Sequence, residues 1–191
     1  MSGDGDDGLE KVRIKKVLGP TQSGTAVLLG NDEKTFVIYI GYYEGAALVR
    51  ELKGEEAARP FTHELLSYVM AGFNIEVKRV IISDIINNTF CATLILEQRV
   101  VDEEEQWVGK RNEVRIDARP SDCIVIACKE NKDIYCTEEV LANVRDVGEE
   151  LKLAGGAGSE PDEASGETPD FLKEMFGDLD EPDPGSEEDE D

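Results

Sequence analysis

The sequence predicts an α+β domain: a mixed, largely antiparallel sheet with about four helices, followed by a disordered acidic tail. Three observations predict it. Apolar runs with strand spacing bunch near the start and again in the middle, with helical patterns between and after them. Asn87-Asn88 separates two long apolar-rich runs, and both residues tolerate the positive φ of a tight hairpin turn. Residues 154–191 change to Gly, Ser, Pro, Asp and Glu, a composition that cannot bury a core.

The elements follow in order. Residues 1–10 carry four acids and no base and are expected to be disordered. Residues 12–18 read as a half-exposed strand stopped by Gly19-Pro20, and 25–29 and 36–40 as two more strands around a turn at 30–33. Gly41 breaks the third strand. A helix over 42–52 closes at Gly54, and Thr62 is placed to cap a second helix with Leu65, Leu66, Val69 and Met70 as its apolar stripe. A hairpin at 75–86 and 89–98, a solvated acidic loop at 102–105 and a short strand at 114–117 come next. Pro120 suits the first turn of a helix running to about 129. A short strand at 134–136 leads to a last helix through 144, capped by Thr137.

The chain thus divides into an acidic N-terminus at 1–10, a folded domain at 11–150 and an acidic tail at 151–191. Within the tail, residues 169–177 have the marks of a short amphipathic helix. Thr168 can cap it, Pro169 suits its first position, and Phe171, Leu172, Met175 and Phe176 share a face. Two turns are not stable alone, so this helix needs a surface, on its own domain or on a protein partner.

Charge narrows the functional classes. The formal net charge is −23, but residues 11–153 hold 19 bases against 24 acids, while 154–191 hold one base against 15 acids. The body is only mildly acidic, and nothing in it forms a broad basic face. Non-specific nucleic-acid binding draws mainly on Lys and Arg neutralising phosphates. A nucleic-acid enzyme would therefore need a local site, with a cation to bridge acidic protein and anionic substrate. No apolar stretch approaches the roughly 20 residues that span a bilayer. The N-terminus lacks a signal-peptide core, and the four cysteines sit in apolar runs without a C-x-x-C pair. A cytoplasmic setting with reduced, structural thiols is the expectation.

Common catalytic signatures are missing. His63 is the single histidine, so no His-rich zinc site can be drawn, and no phosphate-binding glycine loop or serine elbow is present. What remains is a set of polar residues at element ends: Glu44, Arg59, Thr62, His63, Asp84, Asp117, Arg119, Ser121 and Asp122. Asp117 and Asp122 bracket a strand end and a helix start and are a candidate metal pair, since carboxylates bind Mg²⁺ or Mn²⁺ and such ions activate water. Arg59 and Arg119 suit forked contacts to phosphate. Spacing alone also fits an ion pair that locks strand to helix.

Four ordered blocks resemble the bifunctional nuclease domain family across residues 12–145. They are Tyr39-Ile40-Gly41 with Glu44-Gly45-Ala46-Ala47; Arg59-Pro60-Phe61-Thr62-His63-Glu64-Leu65-Leu66; Asp84 with Phe90-Cys91-Ala92; and Ile116-Asp117-Ala118-Arg119-Pro120-Ser121-Asp122-Cys123-Ile124. The family pattern usually has Glu-Ala at Glu44-Gly45, often His-Asp-Leu at His63-Glu64-Leu65, and usually Asp-Ala at Asp122-Cys123. The resemblance implies a homo-oligomer with DNase and RNase activity. The resemblance supplies the activity and the residue types supply the roles: Glu44, His63, Asp117 and Asp122 are candidate catalytic residues, with Asp117 and Asp122 the metal ligands. Arg59 and Arg119 become candidate substrate-binding residues, with nucleic acid as substrate. The alternative is a non-catalytic interaction or regulatory module whose acidic tail docks on a partner.

Overall fold

The computed structural model describes residues 8–21, 24–55, 57–101 and 107–154. Seven strands and five helices follow in the order β1 (Leu9–Thr21), β2 (Gly24–Gly30), β3 (Thr35–Ile40), α1 (Tyr42–Lys53), α2 (Thr62–Gly72), β4 (Ile75–Ile86), β5 (Thr89–Val101), β6 (Trp107–Ala118), α3 (Pro120–Lys129), β7 (Ile134–Thr137), α4 (Glu138–Asn143) and α5 (Gly148–Ala154). The sheet order is β3-β2-β1-β7-β4-β5-β6. Every neighbouring pair is antiparallel except β4 and β7, which run parallel. The expected mixed, largely antiparallel α+β fold is therefore what forms.

Local chemistry explains the punctuation. Asn87 and Asn88 both take positive φ, 51° and 60°, and close the β4–β5 hairpin. Gly54 ends α1 in the left-handed conformation, φ 65°. Pro120 opens α3. The Thr137 hydroxyl accepts the Val140 N–H at 3.2 Å and caps α4.

Several expectations need correction. Among the described residues a fifth helix, α5 (Gly148–Ala154), joins the four that were expected, where the composition already turns towards the tail. Leu9 and Glu10, assigned to a disordered N-terminus, pair with Thr137 and Cys136 of β7. The first strand does not stop at Gly19-Pro20 but continues through a cis peptide to Thr21. Pro20 is tolerated because β7 covers β1 only from Leu9 to Val12, so the far half of β1 needs hydrogen-bond donors on one side alone. Thr62 is the first residue of α2 and not its cap; Glu64 Oε2 instead accepts the Phe61 N–H at 2.6 Å. The acidic loop 102–105, the tail and the helix expected at 169–177 lie outside the described residues.

Long, bent β1 serves both halves of the sheet, its first residues pairing with β7 and its last with β2. The sheet curls enough for Phe36 of β3 to stack on Phe90 of β5, centroids 5.9 Å apart. The core lies between this curl and the helices. Val27, Leu29, Ile38, Val80, Ile82 and Leu94 from the strands meet Leu48 of α1, Met70 of α2 and Ile124 of α3. Helix α3 is buried along most of its length, from Cys123 to Ala127. Its first turn is thereby fixed against the end of β3 and the start of α1.

Candidate functional site

Two strand-to-helix corners face each other. At one, β3 passes through Gly41 into α1; at the other, β6 passes through Arg119 into α3. The first turns of both helices carry an acid, Glu44 and Asp122. A carboxylate is favourable there because the helix dipole presents positive charge. Arg119 links the corners. Its Nε donates to Asp122 Oδ2 at 2.8 Å, its Nη2 donates to Asp122 Oδ1 at 3.0 Å, and its Nη1 lies 2.8 Å from Glu44 Oε1. From α2, His63 Nε2 sits 3.2 Å from Asp122 Oδ1.

Four of the six residues given roles from the sequence thus form one network: Glu44, His63, Arg119 and Asp122. Burial opposes ionisation of Asp122, but its hydrogen bonds with Arg119, joined by His63, outweigh this and hold its carboxyl below the ordinary Asp value. Asp122 in turn, with Glu44, holds Arg119 more firmly protonated.

The network opens on a cleft of about 990 Å³ lined by β3 from Val37 to Ile40, Phe90 and Cys91 of β5, and Glu44, Asp117, Arg119 and Ser121. His63 and Asp122 are not among its lining residues; they stand behind Arg119. Asp117 is exposed near the end of β6, paired with Thr93, and lines both this cleft and a second one beside Arg79 and Arg115. Arg59 is elsewhere. It lies in an exposed bend with Glu51, Glu64, Tyr68 and Lys129 around a separate depression. Asp84 accepts the neighbouring Ile85 N–H and takes no part.

The thiols are free, and burial makes three of them inert. It pushes Cys123 and Cys136 up to about 12 and Cys128 up to about 11. No helix among the described residues is long and apolar enough to cross a membrane.

The family model for the bifunctional nuclease domain matches residues 27–147, a span that holds both corners and α2. The chain belongs to the bifunctional nuclease domain family. It is also similar to two uncharacterized proteins of Mycobacterium tuberculosis, from strains CDC 1551 and H37Rv. Each is 34% identical over 135 residues, which is 69% of this chain and 74% of the relative.

Within this bifunctional nuclease domain, several supporting residues went unread in the sequence. Glu64, almost buried, accepts the Phe61 N–H and lies 3.7 Å from Arg50 Nη2. Arg50 also covers the Phe61 ring at 3.7 Å. Glu64 and Arg50 together fix the start of α2 and hence His63. Gly41 matters through what it lacks: a Cβ there would come within 2.5 Å of Glu44 Oε2. Gly45 lies so close to Thr25 of β2 that a Cβ would overlap the Thr25 hydroxyl. The Gly41-x-x-Glu44-Gly45 spacing was the available signal, since a glycine next to a functional acid marks close backbone approach.

Proposed function

We propose that this domain hydrolyses phosphodiester bonds of DNA and RNA, with Arg119 holding the phosphate in the cleft beside β3. The observation that carries this reading is the state of the guanidinium. An arginine has five N–H donors in a planar fork. Three of them are engaged by Asp122 and Glu44. Two remain, and the Arg119 side chain is 65% exposed at the cleft. A pre-oriented guanidinium with two outward donors suits two oxygens of one phosphate.

In this reading Asp122 and His63 are positioning residues. Asp122 fixes the plane of the guanidinium, and His63 fixes Asp122. Glu44 and Asp117 are the carboxylates that line the cleft, and either can orient a water towards phosphorus and take its proton. Arg59, in its separate depression, would serve a more distant phosphate.

Metal use fits this donor set only in a restricted form. Among the described residues, no group of three or more His, Cys, Asp or Glu side chains could hold an ion. Both Asp122 oxygens accept from Arg119, so an ion is better served by Asp117 with Glu44 than by the Asp117–Asp122 pair expected from the sequence. Mg²⁺ is commonly held by one or two carboxylates together with substrate phosphates, and Asp117 with Glu44 would meet that need. Such an ion would neutralise phosphate charge and acidify a bound water.

Glu44, His63, Arg119 and Asp122 all come from one chain, so the homo-oligomer implied by family resemblance is not needed to complete the network. Four free thiols, two of them buried, favour a cytoplasmic setting in this reading. The test is cleavage of end-labelled DNA and RNA oligonucleotides with Mg²⁺ or Mn²⁺ by the wild type and by Asp122→Asn. Activity in the first and its loss in the second is expected. Equal trace cleavage by both would mark contamination and refute the reading.

A further inference from the structure

Helix α2 buries Glu64 and Met70 and turns its other side outward. Phe61, Leu65, Val69 and Phe73 follow at intervals of four: Leu65 and Val69 are adjacent on α2, and Phe61 and Phe73 flank them as the N-cap and C-cap residues of the helix, extending the ridge at each end. They are 53%, 54%, 47% and 65% exposed. Leu66 lies beside the ridge, 39% exposed. A cluster of exposed large apolar side chains of this kind marks a contact surface more often than scattered apolar residues do. It is independent of the cleft chemistry, since none of these side chains lines that cleft.

Another part of the same chain has the matching pattern. Phe171, Met175 and Leu179 are also spaced by four, with Leu172 and Phe176 alongside. Two ridges of that spacing pack into each other's grooves. We propose that residues 169–179 of the acidic tail form a helix that docks on the Phe61–Leu65–Val69–Phe73 ridge of α2 in the same molecule.

Three further observations favour this occupant. The reach is sufficient. Helix α5 ends at Ala154, so residues 155–168 connect it to the segment and can span roughly 46 Å when extended, against about 40 Å for the width of a domain of this size. The charges agree: Asp170, Glu174 and Asp178 border the apolar face of the segment, while Arg50 covers Phe61 and exposed Arg59 lies two residues before it. Tethering also gives a short helix a high effective concentration at the ridge.

Amide exchange on the full chain, followed by mass spectrometry at several protein concentrations, tests this. The controls are Phe171→Ser with Met175→Ser in the tail, which leaves the domain untouched, and Leu65→Ser with Val69→Ser on exposed positions of α2. The expected result is exchange in residues 170–177 at least about tenfold slower in the wild type than in either double variant, and the same at every concentration. Fast exchange in the wild type would overturn the proposal. So would slow exchange that survives Leu65→Ser with Val69→Ser, or slowing that fades on dilution, which would assign the ridge to a second copy.

Discussion

Arg119 grips Asp122 with two hydrogen bonds, Nε to Oδ2 at 2.8 Å and Nη2 to Oδ1 at 3.0 Å, across the first turn of α3. The two residues are three apart and are held as a planar fork at a strand-to-helix corner. That contact fixes the orientation of a guanidinium that would otherwise sweep through solvent. Isolated exposed ion pairs contribute little to stability. The value of this one lies in direction, because it holds in one plane a guanidinium that lines the cleft.

Replacing Asp122 by Asn keeps the size of the side chain but removes the charge and half the fork. A stability loss of about 1–2 kcal/mol is expected, since hydrogen bonds to charged groups exceed neutral ones and this pair is partly exposed. Urea unfolding of both proteins measures it. The nuclease reading requires a much larger effect on cleavage than on stability.

The Asp122 stabilisation depends on pH with a definite sign. Its carboxyl sits below its ordinary value in the folded chain because Arg119 and His63 outweigh burial. Such a group stabilises the fold above the unfolded Asp value of about 3.9 and loses that contribution as pH falls through the lower folded value. The stability gap between wild type and Asp122→Asn should therefore be full near neutral pH and shrink steadily below about pH 4. Melting temperatures recorded from pH 7 to pH 2.5 check this, and a gap that widens with acid would be contrary.

Gly41→Ala separates positioning from folding. Gly41 has φ −64°, which alanine adopts freely, so the backbone is not strained. The new Cβ would instead stand 2.5 Å from Glu44 Oε2 and push that carboxylate aside. Stability should change by no more than about 0.5 kcal/mol, as for other exposed sites, while cleavage falls about tenfold through the misplaced acid. Calorimetry and a rate measurement on the same sample decide it.

Gly45→Ala should behave oppositely. The added methyl overlaps Thr25, which is fully buried, and overpacking of this kind costs about 1–3 kcal/mol. Thr25→Gly in the same chain should recover part of that loss, giving a coupling that a double-mutant cycle measures. Additive effects would show that the two positions do not press on each other.

The same close approach shows what the sequence could and could not reveal. Gly45 reads as an ordinary small residue in the sequence, and only the Thr25 side chain of β2, which leaves no room for a Cβ there, gives the glycine its reason. The corners were legible because Gly41 and Arg119-Pro120 punctuate apolar runs with local signals. The hairpin turn was legible because two asparagines are suited to positive φ. Residues whose role depends on what folds against them were not. Arg59 shares a motif block with His63 yet lies in a different depression, because the connection into α2 turns it away. Asp117 lies five residues from Asp122 and faces the open cleft, while Asp122 faces back towards His63. Pro20 reads as a strand stop, and only the missing neighbour along the far half of β1 lets the strand pass through it. Helix α5 has seven residues and begins where tail composition sets in, so its pattern was too short to stand out.

The central claim is that the Arg119 fork binds the scissile phosphate, and Arg119→Lys tests it most directly. Lysine keeps the positive charge but loses the planar fork, so its three rotatable donors can neither hold Asp122 in a bidentate pair nor keep two coplanar donors fixed for a phosphate. The measurement is kcat/KM for cleavage of a labelled oligonucleotide, with urea unfolding of the same preparations. A fall of about 100-fold, some 2.7 kcal/mol of transition-state stabilisation, with stability lowered by no more than about 1 kcal/mol, is the predicted result. Cleavage equal to wild type would contradict the account.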